Sequence, residues 1–155
     1  MKPSRNFSWK TASAAESMRL GESIGRRIDT GLCASIVGPL GAGKTVLVGG
    51  ICRGLGVSEE VLSPTFVLLQ QFDGRLPVAH VDLYRLDHEK ELDELGVFGL
   101  LGGDTVILAE WADRSDTLTA HSDVVIEIVP VSANGRRIEL SCTPEVASIF
   151  EGVQG

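Results

Sequence analysis

The sequence predicts an α/β domain in which helices cover both faces of a mixed, mainly parallel sheet. Three observations carry that expectation. A short apolar run, Leu32–Val37, passes through a glycine-rich turn into a helical segment, the strand–turn–helix opening of a layered α/β fold. Two further apolar runs, Val78–Asp82 and Val106–Glu110, each end in a carboxylate. The pairs Asp73-Gly74 and Asn134-Gly135 sit between strand-like runs and signal hairpins, so the sheet cannot be purely parallel.

Taken in order, the first periodic segment begins at Ser13. Ser13-x-x-Glu16 fits a capping box, and Ala15, Met18, Ile24 and Ile28 recur at helical spacing up to Gly31. Leu32–Val37 reads as a buried parallel strand. Thr45–Leu55 reads as a helix closed by Gly54 or Gly56. Phe66–Phe72 and Pro77–Leu83 form a predicted hairpin about Asp73-Gly74. Glu89–Leu95 is a short helix stopped by Gly96, and Thr105–Ala109 is a strand. Asp123–Val129 and Arg136–Cys142 flank Asn134-Gly135 as a second hairpin, and Pro144–Phe150 closes the chain as a short helix. No repeat, low-complexity tract or long linker interrupts this, so residues 1–155 read as one domain.

The 155 residues are enough for one hydrophobic core without disulfides. With 21 acidic against 14 basic residues, the net charge of −7 disfavours unaided binding to a phosphate backbone. Any role on RNA would then run through a partner that holds the nucleic acid. Cys33, Cys52 and Cys142 show no ligand or disulfide spacing and read as free thiols in a reducing compartment. Met1–Lys10 lacks the apolar core of a signal peptide, and no apolar run approaches the roughly 20 residues of a membrane span. The expectation is a cytoplasmic protein.

Gly38-Pro39-Leu40-Gly41-Ala42-Gly43-Lys44-Thr45 fits G-x-x-x-x-G-K-[ST] at every specified position, between a predicted strand and a predicted helix. Glycines let the backbone fold into a nest of N–H groups, and the following helix turns its positive end toward the same anion. Lys44 can reach terminal phosphates and the Thr45 hydroxyl can ligate Mg²⁺. The motif predicts a P-loop NTPase-like three-layer domain. Its nucleotide-binding candidates are Gly38, Leu40, Gly41, Ala42, Gly43, Lys44, Thr45 and Val46, and its cofactors ATP and Mg²⁺.

Such a loop needs a second metal contact and a group to orient water. Asp82 and Glu110, at the ends of apolar strands, are the candidates, and spacing alone does not assign the two roles. For Thr65, in Ser63-Pro64-Thr65-Phe66, ordinary turn chemistry competes with a switch role. Trp111 reads as a partly buried core residue, with stacking on a base or a nucleotide-dependent surface as the alternative, Arg85 as a phosphate contact or a surface ion-pair partner, and His80, His88 and His121 as structural or surface residues. Asp93-Glu94-Leu95-Gly96 mimics a GTPase D-x-x-G but ends an amphipathic helix. With Asn6 and Asn134 the only asparagines, no N-K-x-D guanine-reading motif exists, which favours ATP.

The joint set of Gly38-x-Leu40-Gly41-Ala42-Gly43-Lys44-Thr45, Ser63-Pro64-Thr65-Phe66, His80-x-Asp82-Leu83-Tyr84-Arg85 and Glu110-Trp111 resembles the bacterial TsaE (YjeE) family. The resemblance covers Gly38 to Trp111. It implies a small ATPase acting with TsaB- and TsaD-type partners in threonylcarbamoyladenosine modification of tRNAs that read codons starting with adenine. ATP hydrolysis would support multiple turnovers, and tRNA would be met only through the complex. By motif position it implies Thr45 and Glu110 as magnesium ligands, Asp82 as the carboxylate that helps activate water, and Thr65 as part of a switch-like segment. In such a hydrolysis the catalytic part of Lys44 would be to stabilise the charge in flight. The chain departs from the pattern at Pro39 and Ala112, neither of which removes a phosphate, metal or water contact.

Two other functions fit the same residues less well. An ATP-gated protein-interaction module with incidental hydrolysis, in which ATP orders Ser63–Phe66 to fit a partner, is suggested by a small domain with few obvious substrate-binding residues. A small-molecule kinase would need an arginine-rich lid, yet Arg85 is the only arginine between Asp82 and Trp111.

Overall fold

The computed structural model describes residues 4–61 and 68–154. Seven strands form one sheet: β1 (Arg5–Thr11), β2 (Leu32–Val37), β3 (Leu69–Asp73), β4 (Pro77–Asp82), β5 (Val106–Glu110), β6 (Val124–Pro130) and β7 (Arg136–Cys142), in the spatial order β1-β7-β6-β2-β5-β4-β3. The pairs β6–β2, β2–β5 and β5–β4 are parallel and central; β1–β7, β7–β6 and β4–β3 are antiparallel and flank them.

Burial follows that division. β2, β4 and β5 are buried along nearly their whole length, as parallel strands covered on both faces must be. β6 alternates buried and exposed because its flank of the sheet is covered on one face only. On one face, Ala34, Ile36, Leu108 and Ile126 pack against Leu20 and Ile24 of α1 (Ala14–Arg27) and Leu47, Val48 and Ile51 of α2 (Lys44–Gly54). On the other, Cys33, Ala79, Val81, Ile107 and Ala109 meet Leu92 of α3 (Lys90–Glu94), Val97, and Leu118 of α4 (Asp116–Ala120). The result is the expected three-layer, P-loop NTPase-like fold.

Most predicted elements stand, with shifted ends. Ser13 caps α1 by accepting from the Glu16 N–H at 3.1 Å, while the Glu16 carboxylate accepts from the Ala12 N–H, one residue before the cap. The helix stops at Arg27, short of Gly31, because Ile28 is already extended. Gly56, with φ +86°, carries the chain out of α2. β3 is described from Leu69 onward; Phe66 and Val67, its expected first residues, lie outside the described residues. The closing helix Pro144–Ile149 is 3₁₀. Four pieces were not expected: β1, the 3₁₀ turns at Phe98–Leu100 and Ala112–Arg114, and α4.

α1 and α2 touch backbone to backbone. A Cβ on Gly25 would lie 2.1 Å from the Ile51 carbonyl oxygen, one on Gly54 2.3 Å from that of Glu22, and one on Gly50 2.3 Å from that of Met18. Glycines four apart on each helix therefore set the spacing, and no larger residue fits. The Arg75 guanidinium, from the β3–β4 turn, donates to the Gly25, Ile28 and Gly54 carbonyls at 2.8, 3.1 and 3.2 Å, tying together the carboxyl ends of both helices.

All three cysteines are buried and free. Burial pushes the Cys33 thiol up to about 11 and the Cys52 thiol up to about 12, and raises that of Cys142. Thiolate is the reactive form, so a water-soluble aromatic disulfide at pH 8 is expected to leave the folded protein unmodified and to titrate three thiols in denaturant. Stoichiometric labelling of the native protein within minutes would contradict this burial.

Candidate functional site at the carboxyl edge of the parallel strands

Parallel strands deliver their carboxyl ends to one edge, and β2, β4 and β5 bring three pieces of chemistry there. β2 ends at Val37 and opens into the loop Gly38–Gly43; Lys44 starts α2. Gly41 and Gly43 adopt φ of +79° and +98°, a turn that side-chain-bearing residues rarely take. The first-turn N–H groups of Lys44, Thr45 and Val46 have no carbonyl four residues back inside the helix, so they remain available to an anion. Ala42 is buried, while the Leu40 side chain is 76% exposed.

Asp82 and Glu110 are register partners across β4 and β5. Period two puts them, with His80, on the α2 face of the sheet. Glu110 is buried, and both its oxygens accept from Thr45 Oγ1, at 3.0 and 3.1 Å. Asp82 is nearly buried and its Oδ1 accepts from the Tyr84 N–H at 3.0 Å. The Lys44 ammonium donates to the Gly38 and Pro39 carbonyls, both at 2.8 Å, and lies 4.1 Å from the centre of the Trp111 ring. Desolvation lowers the pKa of Lys44, and the charges of Glu110, Asp82 and Asp113 pull it back up. Lys44, Thr45, Asp82 and Glu110 thus converge, as their motif positions required. Thr65 lies outside the described residues, and Arg85 is exposed.

Two contributors escaped the sequence reading. His80 is fully buried, with Nε2 2.6 Å from Glu110 Oε2 and Nδ1 without a hydrogen-bond partner among the described residues. An ionised carboxylate at that distance selects the tautomer protonated on Nε2, so His80 holds Glu110 as a donor. The signal was available: in His80-x-Asp82, alternation places the histidine on the same face as the acid. The second is Trp111, which starts the Ala112–Arg114 turn with φ +57°, the one positive φ outside glycine among the described residues. Its N–H donates to the Ile36 carbonyl at 3.2 Å and its ring packs 5.0 Å from that of Tyr84. A left-handed tryptophan costs roughly 1–2 kcal/mol and is retained here where it lies beneath the lysine.

Among the described residues, no three His, Cys, Asp or Glu side chains gather into a cage for a metal. The oxygens of Thr45 and Glu110 instead suit Mg²⁺, which favours hard oxygen ligands, uses few protein groups and fills its shell with phosphate and water. The residues present thus fit phosphate groups on the loop and, at the Thr45 and Glu110 oxygens, a divalent ion.

Fold and loop together define a P-loop NTPase-like protein. Residues 11–138 match the family model described as "Threonylcarbamoyl adenosine biosynthesis protein TsaE". The "tRNA threonylcarbamoyladenosine biosynthesis protein TsaE" of Treponema pallidum is 34% identical over 129 residues, covering 83% of this chain and 96% of the relative. The protein of the same name from Bacillus subtilis is 30% identical over 148 residues, 89% of this chain and 92% of its own. The crystal structure of YdiB from Bacillus subtilis superposes with a TM-score of 0.75 at 23% identity, over 99% of this chain and 97% of that one, and so shares the fold. The chain belongs to the TsaE family, which is involved in tRNA threonylcarbamoyladenosine biosynthesis. No helix among the described residues is long and apolar enough to cross a membrane.

Proposed function

We propose that this chain is a single-domain, cytoplasmic ATPase that hydrolyses ATP with Mg²⁺ and so sustains turnover of a TsaB–TsaD-type complex. That complex would modify tRNAs reading codons that start with adenine, with tRNA met only through the partners. The observation that supports this best is the convergence of Lys44, Thr45, Asp82 and Glu110 at the mouth of one glycine nest. Thr45 and Glu110 would hold the ion, which when bound offsets negative charge developing on the phosphates. Lys44 leaves the Gly38 and Pro39 carbonyls to meet the terminal phosphates, and Asp82 orients the attacking water. His80 keeps the Glu110 carboxylate aimed at Thr45 throughout.

Phosphate release by the purified protein, alone and with TsaB- and TsaD-type partners, tests the proposal, with Lys44→Ala as control. Release is expected to rise with the partners and to fall at least about 100-fold in the variant. ATP binding without partner-stimulated release would favour the gated interaction module instead.

A further inference from the structure

We propose that Arg136 is a positioning residue for the phosphate loop: it fixes the peptide between Ala42 and Gly43 so that the Gly43 N–H faces the bound anion. The inference rests on reading Gly38–Thr45 as a nucleotide site. Arg136 is the first residue of β7 and is held there by backbone pairing to Pro130 and Thr11. Its Nε donates to the Ala42 carbonyl at 2.8 Å and its Nη2 to that of Gly41 at 3.3 Å. Its Nη1 donates to Gly135 at 2.9 Å, with longer contacts to Ser132 at 3.3 Å and Ala133 at 3.4 Å. Each nitrogen of the guanidinium thus donates to a backbone carbonyl of the loop or of the β6–β7 turn.

The arginine gives the loop a polar anchor. Gly41 and Gly43 both have positive φ, and a Cβ at either would meet nothing within 4 Å. Between them the only side chain is the buried Ala42 methyl, which packs in the core but leaves the rotation of the peptide that follows it to hydrogen bonds. Peptides flanked by glycine rotate at little cost. The Ala42 N–H is already fixed by donating to the Pro39 carbonyl at 3.1 Å. The next peptide has its carbonyl on Arg136, and because a trans peptide points its N–H opposite to its C=O, the Gly43 N–H is turned away from the arginine. The guanidinium charge also polarises that peptide, strengthening its N–H as a donor.

The test is an equilibrium titration of the full chain with methylanthraniloyl-ADP, paired with the Gly43 amide resonance in ¹⁵N-labelled protein. Arg136→Met is expected to bind roughly 10- to 100-fold more weakly, the loss of one or two charge-assisted bonds. Its Gly43 amide should lose most of the nucleotide-induced shift. Arg136→Lys, which keeps the charge without the fork, is expected to fall between. Arg137→Met, on the neighbouring residue that pairs with Glu139 at 2.8 Å, should bind like wild type. Wild-type affinity and a wild-type Gly43 shift in Arg136→Met would overturn the proposal and leave the nucleotide site standing. If that variant does not fold, a lysine variant binding as tightly as wild type overturns it equally. A wild-type chain that binds no nucleotide would instead sink the reading of the loop itself.

Discussion

Glu110→Gln is expected to lower ATP hydrolysis roughly 100- to 1,000-fold while leaving binding of metal-free nucleotide nearly unchanged. The substitution is almost isosteric. An amide oxygen can still accept from Thr45 Oγ1 and from His80 Nε2, the two contacts that orient the carboxylate, so the strand and the loop should keep their places. What it removes is the negative charge that would help hold the ion and counter Lys44. Two measurements separate these effects. Phosphate release at saturating ATP reports the chemistry, and Mn²⁺ affinity in the nucleotide complex, read by electron paramagnetic resonance, reports the metal. Both should fall together. Unchanged Mn²⁺ affinity with lost hydrolysis would move Glu110 from metal ligand to water activator and hand the metal to Asp82. A rate within threefold of wild type would remove Glu110 from the chemistry altogether.

The largest stability effect is expected at Gly25. In an ordinary helix Gly→Ala stabilises by roughly 1 kcal/mol through propensity and the unfolded state. Here the new Cβ would sit 2.1 Å from the Ile51 carbonyl oxygen and 3.0 Å from the Gly54 Cα. Both obstacles are backbone, so neither can rotate aside, and α1 must lift off α2. Overpacking of this kind costs about 3 kcal/mol or more, which outweighs the propensity gain. A net loss of about 2 kcal/mol, or roughly 4–8 °C in Tm for a chain of this size, is expected. Gly49→Ala supplies the contrast on the same pair of helices: its Cβ would meet only the Met18 Cε at 3.8 Å, so it should be neutral or stabilising. Thermal unfolding of both variants decides the matter, and equal Tm values would mean that the helix contact yields more easily than its geometry implies.

What could be seen in the sequence was what local chemistry writes there. β2, the loop and α2 were legible because glycine, lysine and threonine at fixed spacing serve one purpose, and because a strand buried on both faces reads as an unbroken apolar run. Ser13 and Gly56 marked their helix ends for the same reason. β1 was not legible. Phe7 and Trp9 alternate with polar residues over too short a stretch, and the strand exists because Arg5–Thr11 pairs with Arg136–Cys142 at the far end of the chain. The 3₁₀ turns on either side of β5 likewise follow from where the chain must go, not from any propensity. Arg136 was hidden for a different reason: its partners are carbonyls, which every residue has, and one lies 94 residues earlier.

The position of β2 has a consequence for how the protein comes into being. Its neighbours are β5 and β6, whose residues begin at Val106 and Val124, so the strand that carries the loop is synthesised long before either of the strands that will wall it in. Closing such distant contacts is entropically slow and rewards the chain only late. A nascent polypeptide ending near Ala120 already spells out Gly38–Thr45, Asp82 and Glu110 in full, yet it lacks β6, β7 and the arginine that grips the loop. The motif is complete by Glu110 of 155 residues; the site is complete only when the last hairpin has formed beside it.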